Sequence, residues 1–130
     1  MKLGFRLLED VCSVNNFVEV QRLELVAGNP GTLYFRLIMR STDPDLRYVP
    51  ASGATVSVTF DHIDSNQVIT RVATNPFVGD NSIWSVPLLA TDRITFASMQ
   101  VSLTEGAVTR KLIPFSELAF ANTDSKRYFC

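Results

Sequence analysis

Few side chains in this chain have types suited to catalysis, since it contains one histidine and two cysteines. Hydrolysis by a Ser–His–Asp arrangement would need His62 as the general base. Asp61 and Asp64 are close to it in the sequence but fall on predicted turns. We therefore interpret His62 as a strand-end histidine capped by a carbonyl group or water. The sequence predicts that the protein is not an enzyme and has no catalytic residues and no small-molecule substrate.

The residues with metal-binding chemistry are also poorly placed. One histidine and two remote cysteines, Cys12 and Cys130, cannot complete a coordination shell. Four carboxylates lie near one another in the sequence, at Asp43, Asp45, Asp61 and Asp64. They lack the alternate spacing and the closing glutamate of the helix-flanked calcium loop. We predict no metal and no cofactor. We interpret the two cysteines as unpaired thiols; a disulfide within the chain or to a neighbouring subunit is the alternative.

Charge gives no indication of a nucleic-acid or membrane partner. The net charge of the 130-residue chain is −1, and charged residues make up 19% of it. A nucleic-acid-binding surface needs a concentration of basic residues. The arginines are instead spread over different predicted strands, at Arg36, Arg40, Arg47, Arg71, Arg93 and Arg110. Solvated faces or subunit contacts explain this distribution better than a nucleic-acid interface.

Aromatic side chains offer a second possible binding chemistry, the stacking of sugar rings. The residues that could form such a platform are Trp84, Tyr34, Tyr48 and Phe77. Trp84 lies in the middle of a predicted strand, between Ile83 and Ser85. This position favours a tryptophan in the core or between two sheets.

Alternation of apolar and polar residues predicts strands with one buried side. In the clearest case, after the turn residue Gly53, Val56, Val58 and Phe60 face one way and the hydroxyl side chains between them face the other. Two further segments alternate as cleanly. Together they predict a core that contains Leu33, Phe35, Leu37, Val56, Val58, Phe60, Val101 and Leu103.

The other predicted strands complete an all-β fold. A turn-rich stretch at 28–31 separates Phe17–Val26 from Thr32–Arg40, so we expect these two strands to form a hairpin. The remaining strands are Ala54–His62, Gln67–Ala73, Ser82–Leu88, Ala97–Thr104, Ala107–Phe115 and a short one around Leu118 and Phe120. About seven or eight strands at this spacing indicate a sandwich or barrel in one domain.

The two ends of the chain are apolar where free ends are normally polar. We expect residues 1–14 and 116–130 to be docking arms that contact neighbouring subunits and lie outside the sandwich core. The predicted contact residues are Phe5, Leu7, Leu8, Tyr128 and Phe129. The alternative is that both arms pack back onto their own sandwich as edge strands.

Several segments carry a resemblance to a known class of protein. They are Arg47–Val56, Asn75–Phe77, Asp80–Trp84 and Val101–Gly106. Their order resembles the small immunoglobulin-like domains of tailed-bacteriophage virion proteins, including the N-terminal domains of upper-baseplate proteins. The resembling region covers Thr32 to Ile113. It departs from the family in having no long fibre or receptor-binding segment after it, which favours a connector or decoration piece.

The resemblance implies an antiparallel immunoglobulin-like β-sandwich in a non-enzymatic virion structural protein. Such a module would dock in multiple symmetric copies on the tail, baseplate, neck or capsid. Its implied partners are copies of itself and other virion proteins, with no nucleic acid and no membrane. Its implied location is the virion, assembled in the host cytoplasm.

A carbohydrate-binding β-sandwich module is the alternative function, because it uses the same fold with an exposed aromatic platform. An exposed Trp84 beside Tyr48 would favour carbohydrate binding. A buried Trp84 with ordered, partner-bound termini would favour the structural module.

Overall fold

The computed structural model describes residues 2–11, 16–26, 31–40, 46–62, 68–75, 81–88 and 96–121. The regular elements of these residues are all β-strands, which confirms the prediction of an all-β fold. They are β1 (Lys2–Val11), β2 (Asn16–Glu19), β3 (Arg22–Val26), β4 (Gly31–Arg40), β5 (Leu46–Arg47), β6 (Thr55–His62), β7 (Val68–Val72), β8 (Ile83–Leu88), β9 (Phe96–Glu105), β10 (Val108–Lys111), β11 (Ile113–Pro114) and β12 (Glu117–Ala121).

A six-stranded sheet is built around the pair β1 and β4. The two strands run antiparallel and pair continuously from Lys2 opposite Arg40 to Leu8 opposite Tyr34. The far side of β1 pairs with β2 and, in parallel, with the two-residue β11. The far side of β4 pairs with β5 and β8. All other strands of this sheet therefore attach to β1 or β4.

A four-stranded antiparallel sheet, in the order β10-β9-β6-β7, packs against the first. The alternating residues of β6 and β9 turn one row of side chains inward and the other row to solvent. The inward rows meet those of β4 and β8 in one hydrophobic core. All eight residues predicted for the core are buried there, at 1% exposure or less. The predicted β-sandwich core is therefore confirmed.

The chain passes from the four-stranded to the six-stranded sheet at both sides of the sandwich. On one side, Thr74 follows β7 and exchanges two backbone hydrogen bonds with Ser85 of β8, at 2.8 and 2.7 Å. On the other side, the N–H of Leu112 still donates to the carbonyl of Val101 in β9, at 2.9 Å. The next two residues already belong to β11 beside β1. These crossings link the edges of the two sheets covalently.

A third, two-stranded sheet contributes to the core. In it β3 and β12 run parallel, with Leu23 opposite Leu118. Leu23 is buried in the core cluster and Leu118 packs against it. The predicted strand around Leu118 and Phe120 is confirmed, and it is β12.

The first strand corrects the prediction that residues 1–14 form a docking arm outside the core. Phe5 and Leu7 are buried core residues, and the two aromatic rings of Phe5 and Phe35 meet edge to face at 6.0 Å. Leu8, on the opposite side of β1, is 2% exposed. These three side chains are therefore not available to a neighbouring subunit. The apolar side chains of β1 extend the buried row of β4, its neighbour in the sheet. Residues 12–15 lie outside the described part of the chain.

Hydrogen bonds at Leu7 tie β1 to both segments along its outer edge. The N–H of Leu7 donates to Ser116 Oγ at 3.0 Å, and its carbonyl accepts the N–H of Val20 at 3.1 Å. The Ser116 hydroxyl donates in turn to the carbonyl of Val20 at 2.6 Å. Residues 116–121 are therefore also part of the folded body, which corrects the prediction of an arm beginning at 116.

Two further strand predictions differ from the structure. The segment Phe17–Val26 is divided into β2 and β3, and neither piece forms the expected hairpin with β4. The segment Ala107–Phe115 is divided at Leu112, where the chain changes sheets. The first error arises because a turn signal shows where the chain bends but not which strand becomes the neighbour.

Substitution of Gly4 by alanine tests the close approach of β1 to β11. A Cβ there would overlap the carbonyl oxygen of Ile113 and the ring of Phe115. Overpacking of this kind costs about 1–3 kcal/mol. The reduced entropy of the unfolded chain offsets only about 0.4–1 kcal/mol of this. We expect Gly4→Ala to lower the free energy of unfolding in urea, whereas Lys2→Ala, exposed on the same side of β1, leaves it nearly unchanged.

The same substitution at two leucines tests whether β1 is core or arm. Leu7 is fully buried and Leu46 is 50% exposed. Loss of a buried leucine side chain costs about 2–5 kcal/mol. We expect Leu7→Ala to lower the free energy of unfolding by an amount in this range and Leu46→Ala to change it by less than about 1 kcal/mol. Equal, small effects in equilibrium denaturation would mean that β1 is not part of the core.

Candidate functional site

The outer side of the six-stranded sheet carries an arginine pair held by one carboxylate. Arg6 and Arg36 lie directly opposite each other on β1 and β4. Like charges in this position destabilise a sheet. Glu19 of β2 lies between them, with Oε1 3.2 Å from Arg36 Nη1 and Oε2 3.8 Å from Arg6 Nη1. The carboxylate thus offsets the repulsion and fastens β2 to the pair.

Another arginine on this side holds the segment after β11. The guanidinium of Arg40 lies 4.1 Å from the centre of the Phe115 ring, a cation–π contact. Arg47 shares the side, because it pairs with Ile38. Three of the six arginines that the sequence spreads over several strands therefore share this side, and one of them, Arg36, is buried at 8% exposure. A solvated sheet face, one of the two explanations offered from the sequence, therefore does not account for the position of Arg36.

The outer side of the four-stranded sheet has a very different composition, and we call it the hydroxyl face. Strand register places the following residues on it: Thr55, Ser57, Thr59, Asp61, Val68, Thr70, Val72, Ser98, Gln100, Ser102, Thr104, Thr109 and Lys111. Only Asp61 and Lys111 in this set are charged. A sheet side that only faces water normally carries more charge than this.

Hydrogen bonds between neighbouring strands order the side chains of the hydroxyl face. The hydroxyl oxygens of Thr59 and Thr70 lie 3.2 Å apart, and those of Thr104 and Thr109 lie 3.0 Å apart. Ser98 donates to Asp61 Oδ2 at 3.2 Å. The result is a polar, nearly uncharged surface. The polar half of each alternating segment was visible in the sequence, but its significance depended on four such rows lying side by side.

A hydrogen-bonded clamp joins the loop before β6 to the end of β9. Tyr48 donates its hydroxyl hydrogen to Glu105 Oε1 at 2.7 Å, and the N–H of Ala51 donates to Glu105 Oε2 at 3.0 Å. The Ala51 N–H and then the Tyr48 hydroxyl lower the pKa of Glu105. Burial opposes them, and the charge of Arg110 adds a lowering effect that is smaller than the effect of burial. The hydrogen bond to Glu105 raises the pKa of Tyr48. The clamp is an ordered structural contact between residues far apart in sequence.

A half-open cavity of about 250 Å³ lies at one end of the sandwich. Its lining residues are Phe5, Leu7, Ser98, Met99, Pro114, Ser116, Glu117 and Leu118. The Ser116 hydroxyl already serves the backbone of β1 and of Val20. The cavity is smaller than the usual range for a ligand site, which begins at about 300 Å³. It has room for one side chain or a small fragment.

The aromatic platform considered from the sequence does not form around Trp84. Trp84 is 9% exposed and belongs to the core cluster, as its mid-strand position predicts. Its Nε1 is buried and has no hydrogen-bond partner among the described residues. Tyr34 lies against Phe17 with ring centres 4.7 Å apart, and Tyr48 is held in the clamp. Phe77 lies outside the described residues.

The remaining sequence candidates are only partly located. The pairing register of β6 with β9 shifts between Asp61 and His62, and the His62 side chain lies outside the described part of the structure. Its predicted inertness stays a prediction. Cys12, Cys130, Tyr128 and Phe129 also lie outside the described residues. No group of His, Cys, Asp and Glu suited to a metal ion occurs within the described ranges.

Comparison with known proteins adds no relative. No model of a known protein family matches the chain, and no curated protein matches its sequence. None of the described residues belongs to a helix that could cross a membrane.

A charge-removing substitution at Glu105 tests the clamp. The folded state lowers the pKa of Glu105, so the ionised carboxylate stabilises the protein above its ordinary pKa and this contribution is lost as the pH falls through the lowered pKa. We expect Glu105→Gln to reduce the free energy of unfolding by about 1 kcal/mol at neutral pH. Equilibrium denaturation between about pH 7 and pH 3 measures this difference, which should shrink at the acid end.

The control for that experiment is Glu117→Gln, since Glu117 is exposed and its N–H, not its carboxylate, binds Gln21. This variant should match the unchanged protein across the same pH range. A Glu105→Gln difference that persists undiminished in acid would contradict the role given to the carboxylate.

Proposed function

We propose that the protein is a non-enzymatic structural module of a bacteriophage virion, with an immunoglobulin-like arrangement of its β-sandwich. It docks in multiple symmetric copies, on itself and on other virion proteins, in the tail, baseplate, neck or capsid. The proposal starts from the resemblance of residues 32–113 to the small domains of such proteins. The observation that carries it is the hydroxyl face.

The hydroxyl face suits contact with another protein better than contact with water alone. It is one side of a four-stranded sheet, most of its side chains are short, and several of them are ordered by cross-strand hydrogen bonds. Ordering short hydroxyl side chains costs less conformational entropy than ordering lysine or glutamate side chains. Interfaces are depleted in lysine and glutamate at their centres. We therefore propose this surface, and not residues 2–11, as the principal docking surface, because Phe5, Leu7 and Leu8 are buried in the folded body. The contacts predicted for Tyr128 and Phe129 stay a prediction.

The clamp supports the resemblance itself. Tyr48 and Ala51 belong to one of the resembling segments, and Glu105 belongs to another. Their hydrogen bonds bring together two segments that are 57 residues apart at Tyr48 and Glu105. Segments that resemble the family in sequence thus also make contact with each other in the fold.

The burial of Trp84 argues against the carbohydrate-binding alternative. That function needs an aromatic ring exposed for stacking, and Trp84 is in the core. Tyr48 does not replace it, because its side chain packs against the core cluster and its hydroxyl is held by Glu105.

Native mass spectrometry of the intact chain, from about 1 µM to about 500 µM, tests the docking function, because assembly depends on concentration. We expect masses at integral multiples of the chain mass that grow with concentration. Gln100→Lys, an exposed residue central to the hydroxyl face, should suppress them. Thr32→Lys adds the same charge at an exposed position on the six-stranded sheet and should not.

Two results would contradict the proposal. In one, the protein is a monomer at every concentration and binds to glycans on an array. This result would favour the carbohydrate-binding module. The other is assembly that Thr32→Lys suppresses and Gln100→Lys leaves intact, since docking would then use the other sheet.

A further inference from the structure

Among the described residues, the edge of the four-stranded sheet along β7 is unpaired as far as Thr74, which bonds to Ser85 of β8 on that side. In the described part of the chain, β7 pairs with β6 on one side and with no strand on the other. Its outward side chains are among the most exposed apolar groups of the protein, with Val68 and Val72 each 62% exposed. An exposed edge strand offers unpaired N–H and C=O groups to another strand.

The hydrogen-bonding pattern shows which residues present these groups. The N–H of Ala73 donates to the carbonyl of Val56 in β6 at 2.8 Å. Antiparallel ladders alternate between bonded and non-bonded residues, so Arg71 and Ile69 also direct their backbone groups to β6. Val68, Thr70 and Val72 therefore direct theirs to the open side. The same three residues carry their side chains on the hydroxyl face.

These three residues read the same in both directions, Val-Thr-Val, with Thr70 at the centre. We propose that two copies of the protein associate by antiparallel pairing of their β7 strands about a twofold axis at Thr70. Thr70 then faces the partner's Thr70, and Val68 faces the partner's Val72 on each side. Every residue of the row is hydrogen-bonded in this register, and the two hydroxyl faces join into one side of an eight-stranded sheet.

Charge favours this edge over the opposite one. The outward row of β7 is uncharged, so a second copy meets no repulsion there. Arg71 lies on the inner side and faces the partner's Ile69, not the partner's Arg71, in the proposed register. By contrast, β10 at the other edge carries Arg110 and Lys111 in its four residues. Exposed charges of this kind protect edge strands from pairing.

The interface is small, which fits a contact repeated in an assembly. Five residues from each copy bury less than the 1,200–2,000 Å² of a typical stable complex, roughly estimated from strand length. We therefore expect association at high protein concentration, strengthened when other contacts hold many copies together. This inference rests on the proposed multicopy function and adds to it the partner and the register.

Cysteine cross-linking tests the register in a background with Cys12→Ser and Cys130→Ser. Paired Cα atoms of a hydrogen-bonded antiparallel pair lie about 5.5 Å apart, within disulfide range. We expect Thr70→Cys to form a cross-linked dimer under mild oxidation, seen as a doubled mass. Thr32→Cys, exposed on the six-stranded sheet and outside the hydroxyl face, should remain at the monomer mass.

A mixed experiment makes the test specific to one register. A chain with Val68→Cys mixed with a chain with Val72→Cys should cross-link to a heterodimer, because these positions face each other. A homodimer of either chain should not cross-link, because the cysteines of its two copies lie about 13 Å apart along the strands. Cross-linking of each chain with itself at equal yield would overturn the register.

Lysine substitution supplies the non-covalent test. Val68→Lys with Val72→Lys places like charges opposite each other and should abolish the dimer in sedimentation, while circular dichroism stays unchanged. Thr32→Lys with Leu46→Lys, at exposed positions of the six-stranded sheet and outside the hydroxyl face, should retain it. If Thr70→Cys stays monomeric while the protein still assembles through Gln100, the β7 inference is wrong and the proposed function stands. If no assembly of any kind occurs, the proposed function is wrong, and the β7 inference that rests on it is wrong as well.

Discussion

The antiparallel pairing of β1 with β4 is the contact on which the rest of the sandwich depends. It aligns Phe5 and Leu7 beside the apolar row of β4, so that both strands present one continuous side to the core. Every other strand of the six-stranded sheet attaches to one member of this pair. Removal of the pairing would divide the sheet into two parts, β1 with β2 and β11, and β4 with β5 and β8. The paired edges of β1 and β4 would then be exposed. The burial of β1 therefore matters more than its position at the start of the sequence suggests.

The two outer sides of the sandwich use their polar residues differently. On the six-stranded sheet, charged side chains make contacts within the molecule. Glu19 forms ion pairs with two arginines, and the guanidinium of Arg40 lies over the ring of Phe115. On the hydroxyl face, short side chains satisfy one another across the strands. Charged side chains therefore fix strands on the six-stranded sheet, whereas the cross-strand contacts described on the hydroxyl face join hydroxyl groups, with Asp61 as their one charged partner. The contrast is the main structural support for a molecule that meets its neighbours through one side.

The sequence predicted the local features of this fold well and the long-range ones poorly. Alternation in β4, β6 and β9 identified the buried rows, because a strand with one buried side records that side in every second residue. The burial of Trp84 followed from its position between strand residues. The placement of β1 did not follow, since an apolar end has the same composition whether it docks on a neighbour or fills its own sheet. The clamp was equally hidden, because nothing in the sequence around Tyr48 points to Glu105. Partner choice depends on the complete set of competing strands and is not recorded in any one segment.

The bond between Leu7 and Ser116 spans 109 residues of sequence, and this separation has a consequence for how the molecule is made. On the ribosome, β1 emerges long before the residues that complete its outer edge. It can pair with β4 early, but the edge that later receives β11 and Ser116 stays open throughout most of synthesis. Contacts so distant in sequence also slow folding, because a large loop must close before they form. The nascent chain therefore passes through a stage with an unfinished, partly apolar sheet edge, when wrong pairing with another chain is the main hazard.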